Sequence, residues 1–538
     1  MERRKVHGGG AAVVAMSAIV LLGVIGCGGA SNSKVDPIAN DPGQGGASGG
    51  SSTGGSSGAG PGSTLPPGTT IFAESYGDEG EQGLTGQAVD AKGNIFVAGN
   101  EQPVQLAQPP GTTATEGTAN GAFLIQYSPT GELMWRQPFT PGAQTFELEV
   151  NDVAVQPTTG AEILVGRLGG TVSIGGTTLT SGTDPSNGTQ VTNLWLTAVD
   201  SAGYVVWTKV IQSTGSVFAD HVFVTSSGDI EVTGGMTENA SVGGAPLGGG
   251  NGITGPRFVA RYTPTGDHLW SYGITGFFSP IGSDADAEGG MVIAGIVNGD
   301  FGYRGETVST GGAPYTVSGA MVLRLDPQGN KRWLQTYIAS TGSSSIGAAL
   351  DRSQNVILYG SFNGPFDLGG GHAFTGPDPA SNRNDGLLAK LAPDGTPVWA
   401  QQIAGGLGFS YGASVATNAA GDIAFTNTGN GFDVGPSFGG VSPLPSGSFG
   451  TFIVELAPDG TLLWTRGFDT GSAISGGAPS SPTTGATFDP SGRLAVSGNF
   501  DTTVDFGTGA LTAPGQLARN GSAPGFIPNN VFTLLLAP

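Results

Sequence analysis

Six of the chain's seven tryptophans follow a glycine by four residues: Gly131 to Trp135, Gly203 to Trp207, Gly266 to Trp270, Gly329 to Trp333, Gly395 to Trp399 and Gly460 to Trp464. They recur about every 65 residues, and a fixed long period of this kind requires stacked copies of one supersecondary unit. Each glycine closes a turn such as Pro393-Asp394-Gly395 or Pro458-Asp459-Gly460. An apolar residue (Phe123, Trp195, Phe258, Met321, Leu387 or Phe452) stands eight residues before each of these glycines. The seventh tryptophan, Trp195, therefore shares a position with Phe, Met and Leu, which assigns it to packing. The same position in six copies assigns the other tryptophans to packing between copies rather than to ligand stacking.

A second motif alternates with the first. It runs from Asp90 to Gly99, Gln156 to Gly166, Thr225 to Gly234, Asp286 to Gly295, Asp351 to Gly360, Asn418 to Thr428 and Asp489 to Gly498. Most copies open on a turn rich in Asp, Gly or Asn and continue in alternating apolar residues, the pattern of a hairpin on a half-buried sheet. A short signature follows in several copies: Asp300-Phe301-Gly302, Asp367-Leu368-Gly369, Asp433-Val434-Gly435 and Asp505-Phe506-Gly507. No segment keeps a helical period, and 98 glycines with only 11% charged residues suit short strands joined by many turns.

There are seven copies of the second motif but six tryptophan hairpins. The segment Val531-Phe532-Thr-Leu-Leu-Leu-Ala537-Pro538 matches Phe452 to Pro458, and Thr69-Thr70-Ile71-Phe72-Ala73 matches a strand just after such a turn. A ring whose last strand pairs with its first explains both. The expected fold is all-β, a seven-bladed β-propeller with four strands per blade over residues 69–538, closed by pairing of the N- and C-terminal strands.

Before the repeats, Arg3, Arg4 and Lys5 precede an apolar run from Ala11 to Ile25 that ends in Val24-Ile25-Gly26-Cys27. The run is the length of a signal h-region rather than of a membrane span. The string resembles a bacterial lipobox, and Cys27 is the chain's one cysteine. This predicts a signal peptide over 1–26, lipidation of Cys27, and a Gly/Ser-rich disordered tether over 27–68 with a reach of roughly 35 Å. Three acyl chains suffice for stable membrane anchoring. With Cys27 modified, no thiol remains for a disulfide or a nucleophile. The formal charge of −21 argues against nucleic acid and against direct adsorption to anionic lipid.

Thr130-Gly131-x-x-x-Trp135 and its partners resemble the tryptophan-docking repeat of quinoprotein propellers and of their non-enzymatic relatives, among them a propeller lipoprotein of outer-membrane protein assembly. The longer patterns are Asp90 to Gly99 (Asp-x-x-Gly-Asn-x-x-Val-x-Gly), Val504-Asp505-Phe506-Gly507 and Phe452 to Trp464. Together they are similar to the bacterial extracellular propeller repeats of the SBBP type, abundant in predicted lipoproteins of myxobacteria. The resemblance implies a propeller over residues 69–538 and carries no family-wide activity. Quinoprotein dehydrogenases would further imply a quinone, a calcium ion and often an adjacent cysteine pair, and this chain has no such pair.

Chemistry-bearing clusters are sparse. His221, His268 and His372 lie at unmatched repeat positions, and Ser437 in Gly435-Pro436-Ser437-Phe438-Gly439 lacks the strand-to-helix context of a nucleophile elbow. Asp284, Asp286 and Glu288, followed by Gly289, form the best metal candidate. Position 12 of a calcium loop would fall on Gly295, which has no carboxylate, and Asp286 doubles as the ordinary turn residue. No carboxylate pair stands out for glycoside hydrolysis.

The expected function is therefore a membrane-anchored cell-envelope lipoprotein whose propeller binds or scaffolds a protein or glycan partner, without catalysis and without a cofactor, as a monomer. The alternatives are an extracytoplasmic hydrolase or quinoprotein-like enzyme and a passive surface-layer protein. Recognition is expected in loops that break the repeat length, such as Glu101 to Asn120, Ser181 to Asn193 and Gly435 to Gly450. Gly28 after the lipidated cysteine favours the outer membrane, on its periplasmic face or at the cell surface.

Overall fold

A computed structural model describes residues 65–538 apart from 78–80, 103–120, 238, 249–255, 309–318, 338–343, 380–383, 404–412, 431–448, 470–483, 501–502 and 513–529. Cys27, Ser437 and most of the loops at 101–120 and 435–450 lie outside the described residues. What is described is all-β, arranged in several four-stranded antiparallel sheets consistent with propeller blades.

The strands fall into seven consecutive four-stranded units among the described residues. Unit 1 is Glu81–Val89, Ile95–Gln102, Gly121–Tyr127 and Leu133–Phe139. Unit 2 is Gln144–Val155, Glu162–Ile174, Asn193–Val199 and Val205–Ile211. Unit 3 is Val217–Val224, Ile230–Met236, Arg257–Tyr262 and the front of the 18-residue strand His268–Ala285. The back of that strand opens unit 4, followed by Met291–Tyr303, Gly319–Leu325 and Lys331–Tyr337, so units 3 and 4 merge into one eight-stranded sheet. Unit 5 is Ser344–Leu350, Val356–Phe362, Asp385–Leu391 and Pro397–Ile403. Unit 6 is Ser414–Thr417, Ile423–Asn430, Phe449–Leu456 and Leu462–Phe468. Unit 7 is Thr484–Phe488, Leu494–Phe500 and Asn530–Leu536, and its fourth strand is Thr70–Tyr76, paired antiparallel to Asn530–Leu536.

The recurring turns have a simple cause. The carboxylate of Asp90 accepts the N–H groups of Lys92 and Asn94 at 2.8 Å each, and Asp286, Asp351 and Asp489 cap their turns in the same way. Most of the repeat's turn aspartates are thus occupied in shaping backbone. Third strands such as Gly121–Tyr127, Asn193–Val199 and Gly319–Leu325 are buried along their whole length, and both faces are mostly apolar, with Gln126, Asn193, Thr197 and Arg324 as buried polar exceptions.

The core divides into seven clusters, each shared by two consecutive units, and one of them joins Phe72, Val531 and Leu535 of unit 7 to Ile95 and Phe123 of unit 1. Burying each Leu or Phe contributes about 2 kcal/mol. The first strands also touch in series, unit 1 to 2 and onward, and unit 7 back to unit 1.

Gly68, at the end of the tether expected over 27–68, is bonded to the end of the last strand. The Gly68 N–H donates to Ala537 O at 2.9 Å, and the Ala537 N–H donates to Thr69 O at 2.8 Å. The same bond pair joins Gly460 to Ala457 and Ala457 to Thr461 inside one continuous turn.

Candidate functional site

Each repeat tryptophan lies on the turn of the following unit. The Trp135 indole N–H donates to Ser201 O at 3.1 Å, Trp333 to Pro393 O at 2.8 Å and Trp399 to Pro458 O at 3.0 Å. The turn glycine is required twice over. Gly203 has φ 87°, and a Cβ there would sit 3.0 Å from the Trp135 ring. Trp207 lies on Gly266, Trp270 on Gly329 and Trp464 on Gly68, while Phe72, four residues after Gly68, lies on Gly131.

The metal candidate does not converge. Asp284 accepts Leu350 N at 2.8 Å and Ala285 N at 2.7 Å. Asp286 pairs with Arg324 at 2.6 Å, and Glu288 is exposed on the turn. Among the described residues no three His, Cys, Asp or Glu side chains form a metal-sized group. The loop from Ser181 to Asn193 folds on itself, with Asp184 capping Ser186 and Asn193 bonding Gly182 N at 2.6 Å. His268 bonds Ser271, and His372 closes an outer hairpin turn.

A position the motifs did not single out organises the face that carries these turns. The residue directly across the sheet from each tryptophan is Gln126, Ala198, Arg261, Arg324, Lys390 or Glu455. In units 3 to 5 it is a cation that pairs with its own unit's turn acid: Arg261 with Asp229 at 2.9 Å, Arg324 with Asp286 at 2.6 Å and Lys390 with Asp351 at 2.9 Å. Arg261 also donates to Pro327 O of the next unit at 2.9 Å, and Lys390 to Pro458 O at 3.5 Å. In unit 7, Arg493 takes this part, pairing with Asp489 at 2.6 Å and donating to Pro129 O of unit 1 at 3.2 Å.

Unit 6 inverts the pattern. Glu455 stands where the cations stand, and the opening turn residue is the neutral Asn418, bonded to Asp422 at 2.8 Å. Glu455 is only 4% exposed. Its Oε2 has no hydrogen-bond partner, and neither does the buried Nε1 of Trp464, which faces the same carboxyl without a well-formed bond. Burial, then the nearby Asp422, pushes the Glu455 carboxyl up to about 7. A cavity of about 700 Å³ opens here, lined by Glu455, Asp422, Trp464, Phe488, Arg352 and Pro67 among others. In units 2 to 4 the turns are tied to one another, Gln156 Nε2 donating to Gly228 O at 3.0 Å and Ser226 N to Ala287 O at 2.7 Å.

A second charged cluster forms where first strands meet. His221 Nδ1 lies 3.6 Å from Asp152 Oδ2, which also accepts Val222 N at 3.0 Å. Asp220 pairs with Arg257 at 3.2 Å, and Arg167 pairs with Glu149 at 2.5 Å and Glu147 at 3.1 Å. Burial alone would lower the His221 pKa, but the carboxylates of Asp152, Asp220 and Asp284 outweigh it and hold it above its ordinary value. Burial also raises Asp284 to about 6, against the two backbone N–H groups that favour its charged form. Sequence spacing hid this cluster, because a register shift beside Asp152 and another beside His221 turn the two side chains toward each other.

No family model matches the chain, and no curated protein matches it. Solved structures similar to it include a protein of unknown function from Dyadobacter fermentans (10% identity over 88% of this chain and 98% of that one, TM-score 0.34). The polysaccharide lyase Uly1 matches at 9% identity over 84% and 90% of the two chains, TM-score 0.40. A puromycin hydrolase matches at 14% identity over 82% of this chain and 62% of its own, TM-score 0.31.

Proposed function

We propose that this chain is a lipid-anchored cell-envelope protein, tethered through Cys27 at the outer membrane, whose seven-bladed β-propeller serves as a binding module for a protein or glycan partner. The ring reading rests on the shared sheet of Thr70–Tyr76 and Asn530–Leu536 and on the core cluster that unites units 7 and 1. One observation carries the binding reading. Most turn acids are consumed in turns and Trp135, Trp333 and Trp399 in inter-unit bonds, whereas the contact between units 6 and 7 leaves polar groups unpaired around an open cavity. Buried polar atoms without a partner also occur elsewhere, at Glu162 and Glu231 for example, but Glu455 and Trp464 border an open cavity, where a ligand can supply the missing partners.

Two measurements test the proposal together. Metabolic labelling with a radioactive fatty acid should mark the wild-type chain and not Cys27→Ala. The immobilised chain should retain a defined protein or glycan from envelope extract or from a glycan array. Absence of label removes the anchor, and turnover of a bound glycan abolished by one carboxylate substitution replaces the binding module with an enzyme.

A further inference from the structure

We infer that the cavity at the contact of units 6 and 7, bordered also by turns of units 1 and 5, receives a basic side chain of a partner protein, a lysine ammonium or arginine guanidinium that occupies the place filled from within by Arg261, Arg324 and Lys390 in units 3 to 5. The inference deepens the binding reading and rests on it. Its geometric basis is the repeat itself. The position across from the tryptophan is a cation in three consecutive units, pairs with an acid on the opening turn, and in two of them also meets a carbonyl of the next unit's turn. Unit 6 keeps the tryptophan, an acid on the turn and the following turn, but puts Glu455 at the cation's place. The result is a pair of carboxyl groups, Glu455 and Asp422, with no ion pair to a cation among the described residues.

Among the described residues the charged groups around Glu455 are few. Asp422 raises its pKa, and Asp489, Asp90 and Arg352 line the same cavity. Asp489 is committed to Arg493 and to backbone N–H groups, and Asp90 to Lys92 and Asn94. Arg466 points away from the carboxyl pair, donating to Gly68 O at 2.6 Å. An incoming ammonium or guanidinium would be the first positive charge to bond Glu455, through a charge-assisted hydrogen bond in a partly dehydrated cleft.

The apolar part of the cavity fits a basic residue as well. Trp464, Phe488, Pro67 and Pro538 offer surface for the aliphatic stem, and the indole face adds a cation–π attraction. The Trp464 N–H, which in Trp333 and Trp399 meets a proline carbonyl, is left to take a carbonyl from the incoming peptide. An amino sugar carries the charge without the stem. The chain's charge of −21 favours approach of a basic segment at long range.

Calorimetric titration of the full chain in moderate salt tests this with three probes: the capped tripeptide Gly-Lys-Gly, the same peptide with uncharged norleucine for lysine, and a glucosamine tetramer. The lysine peptide should bind at least about tenfold tighter than the norleucine peptide, and tighter at pH 8 than at pH 6 because Glu455 must ionise. Glu455→Lys supplies the missing cation internally and should abolish the binding. Glu455→Gln, which leaves shape intact, should weaken it about tenfold or more.

Equal affinity for lysine and norleucine, unchanged affinity in Glu455→Gln, or a preference for the glucosamine tetramer overturns the inference. Should Glu455→Lys fail to fold, the Gln variant and the pH series still decide. A partner that the Glu455→Gln chain still captures from envelope extract at full strength would sink this cavity's role while leaving the binding module standing.

Discussion

The first strand-two residue of each unit is Ile95, Glu162, Ile230, Met291, Val356, Ile423 or Leu494, and all are buried. Glu162 is thus a carboxyl in a slot that is apolar in the other six units, 0% exposed, with neither oxygen hydrogen-bonded. Burial, with smaller contributions from Asp200 and Asp90, pushes it up to about 8; its own backbone N–H, too poorly aligned to bond, works in the opposite direction. In the unfolded chain it ionises near 4.5, so between these values the unfolded state has released a proton that the folded state retains, and stability falls as pH rises.

At pH 7 the carboxyl is held protonated about 2.5 pH units above its ordinary titration, which costs about 3 kcal/mol. The unpaired polar group adds about 1–3 kcal/mol at any pH. Urea unfolding of wild type, Glu162→Leu and Glu162→Gln from pH 4 to 8 separates the two contributions. Glu162→Leu should be more stable by about 1–3 kcal/mol at pH 4, and the gap should widen by about 3 kcal/mol at pH 7. Glu162→Gln should lose the Glu162 share of the pH dependence while keeping the cost of an unpaired polar group. A gap that stays constant with pH would refute the reasoning, because it would mean that Glu162 ionises freely in the native state.

Two further predictions concern the joints between units. Trp135→Phe keeps most of the buried ring but removes the bond to Ser201 O, and should cost about 1–2 kcal/mol, whereas Trp135→Ala should cost about 3–5 kcal/mol; denaturant midpoints measure both. The His221 pKa is raised in the folded state, so its pairing stabilises the fold fully below the unfolded histidine value and is lost as pH rises through the folded one. Asp152→Asn should lower the His221 pKa in an imidazole NMR titration and flatten that stretch of the stability profile, and an unchanged pKa would dismiss the pair.

Much of the architecture was legible from spacing. Turn glycines, the tryptophans four residues on, and the apolar strands before them are all local signals, and local signals set strand order in an antiparallel repeat. The match of Val531–Pro538 to Phe452–Pro458 likewise anticipated that Asn530–Leu536 would find a neighbour outside its own hairpin, and it pairs with Thr70–Tyr76. The Gly68 and Phe72 pair was equally readable, four residues apart like the others, but phenylalanine at the tryptophan position and the prolines of the preceding tether masked it.

The site was less legible for a physical reason. Arg261, Arg324, Lys390 and Glu455 each precede a turn glycine by five residues, so the spacing was there, but their meaning depends on which turn acid and which next-unit carbonyl they meet. Asp284 and Asp286 illustrate the converse. Two residues apart in sequence, they point to different partners, a neighbouring unit's backbone and Arg324. Asp284 lies on the strand His268–Ala285 and Asp286 on the turn after it, so the strand end separates residues that a sequence motif places together.

The account stands on the shared sheet that joins the first and last strands. Glu74 and Thr533 face each other across it, close enough for a disulfide between cysteines at directly paired positions. With Cys27 replaced by alanine, the Glu74→Cys/Thr533→Cys chain should form an intramolecular disulfide under mild oxidation, seen as faster migration of a monomer in non-reducing gels and a raised midpoint of unfolding. Free thiols that persist under oxidant, or crosslinks only between separate molecules, would contradict the ring.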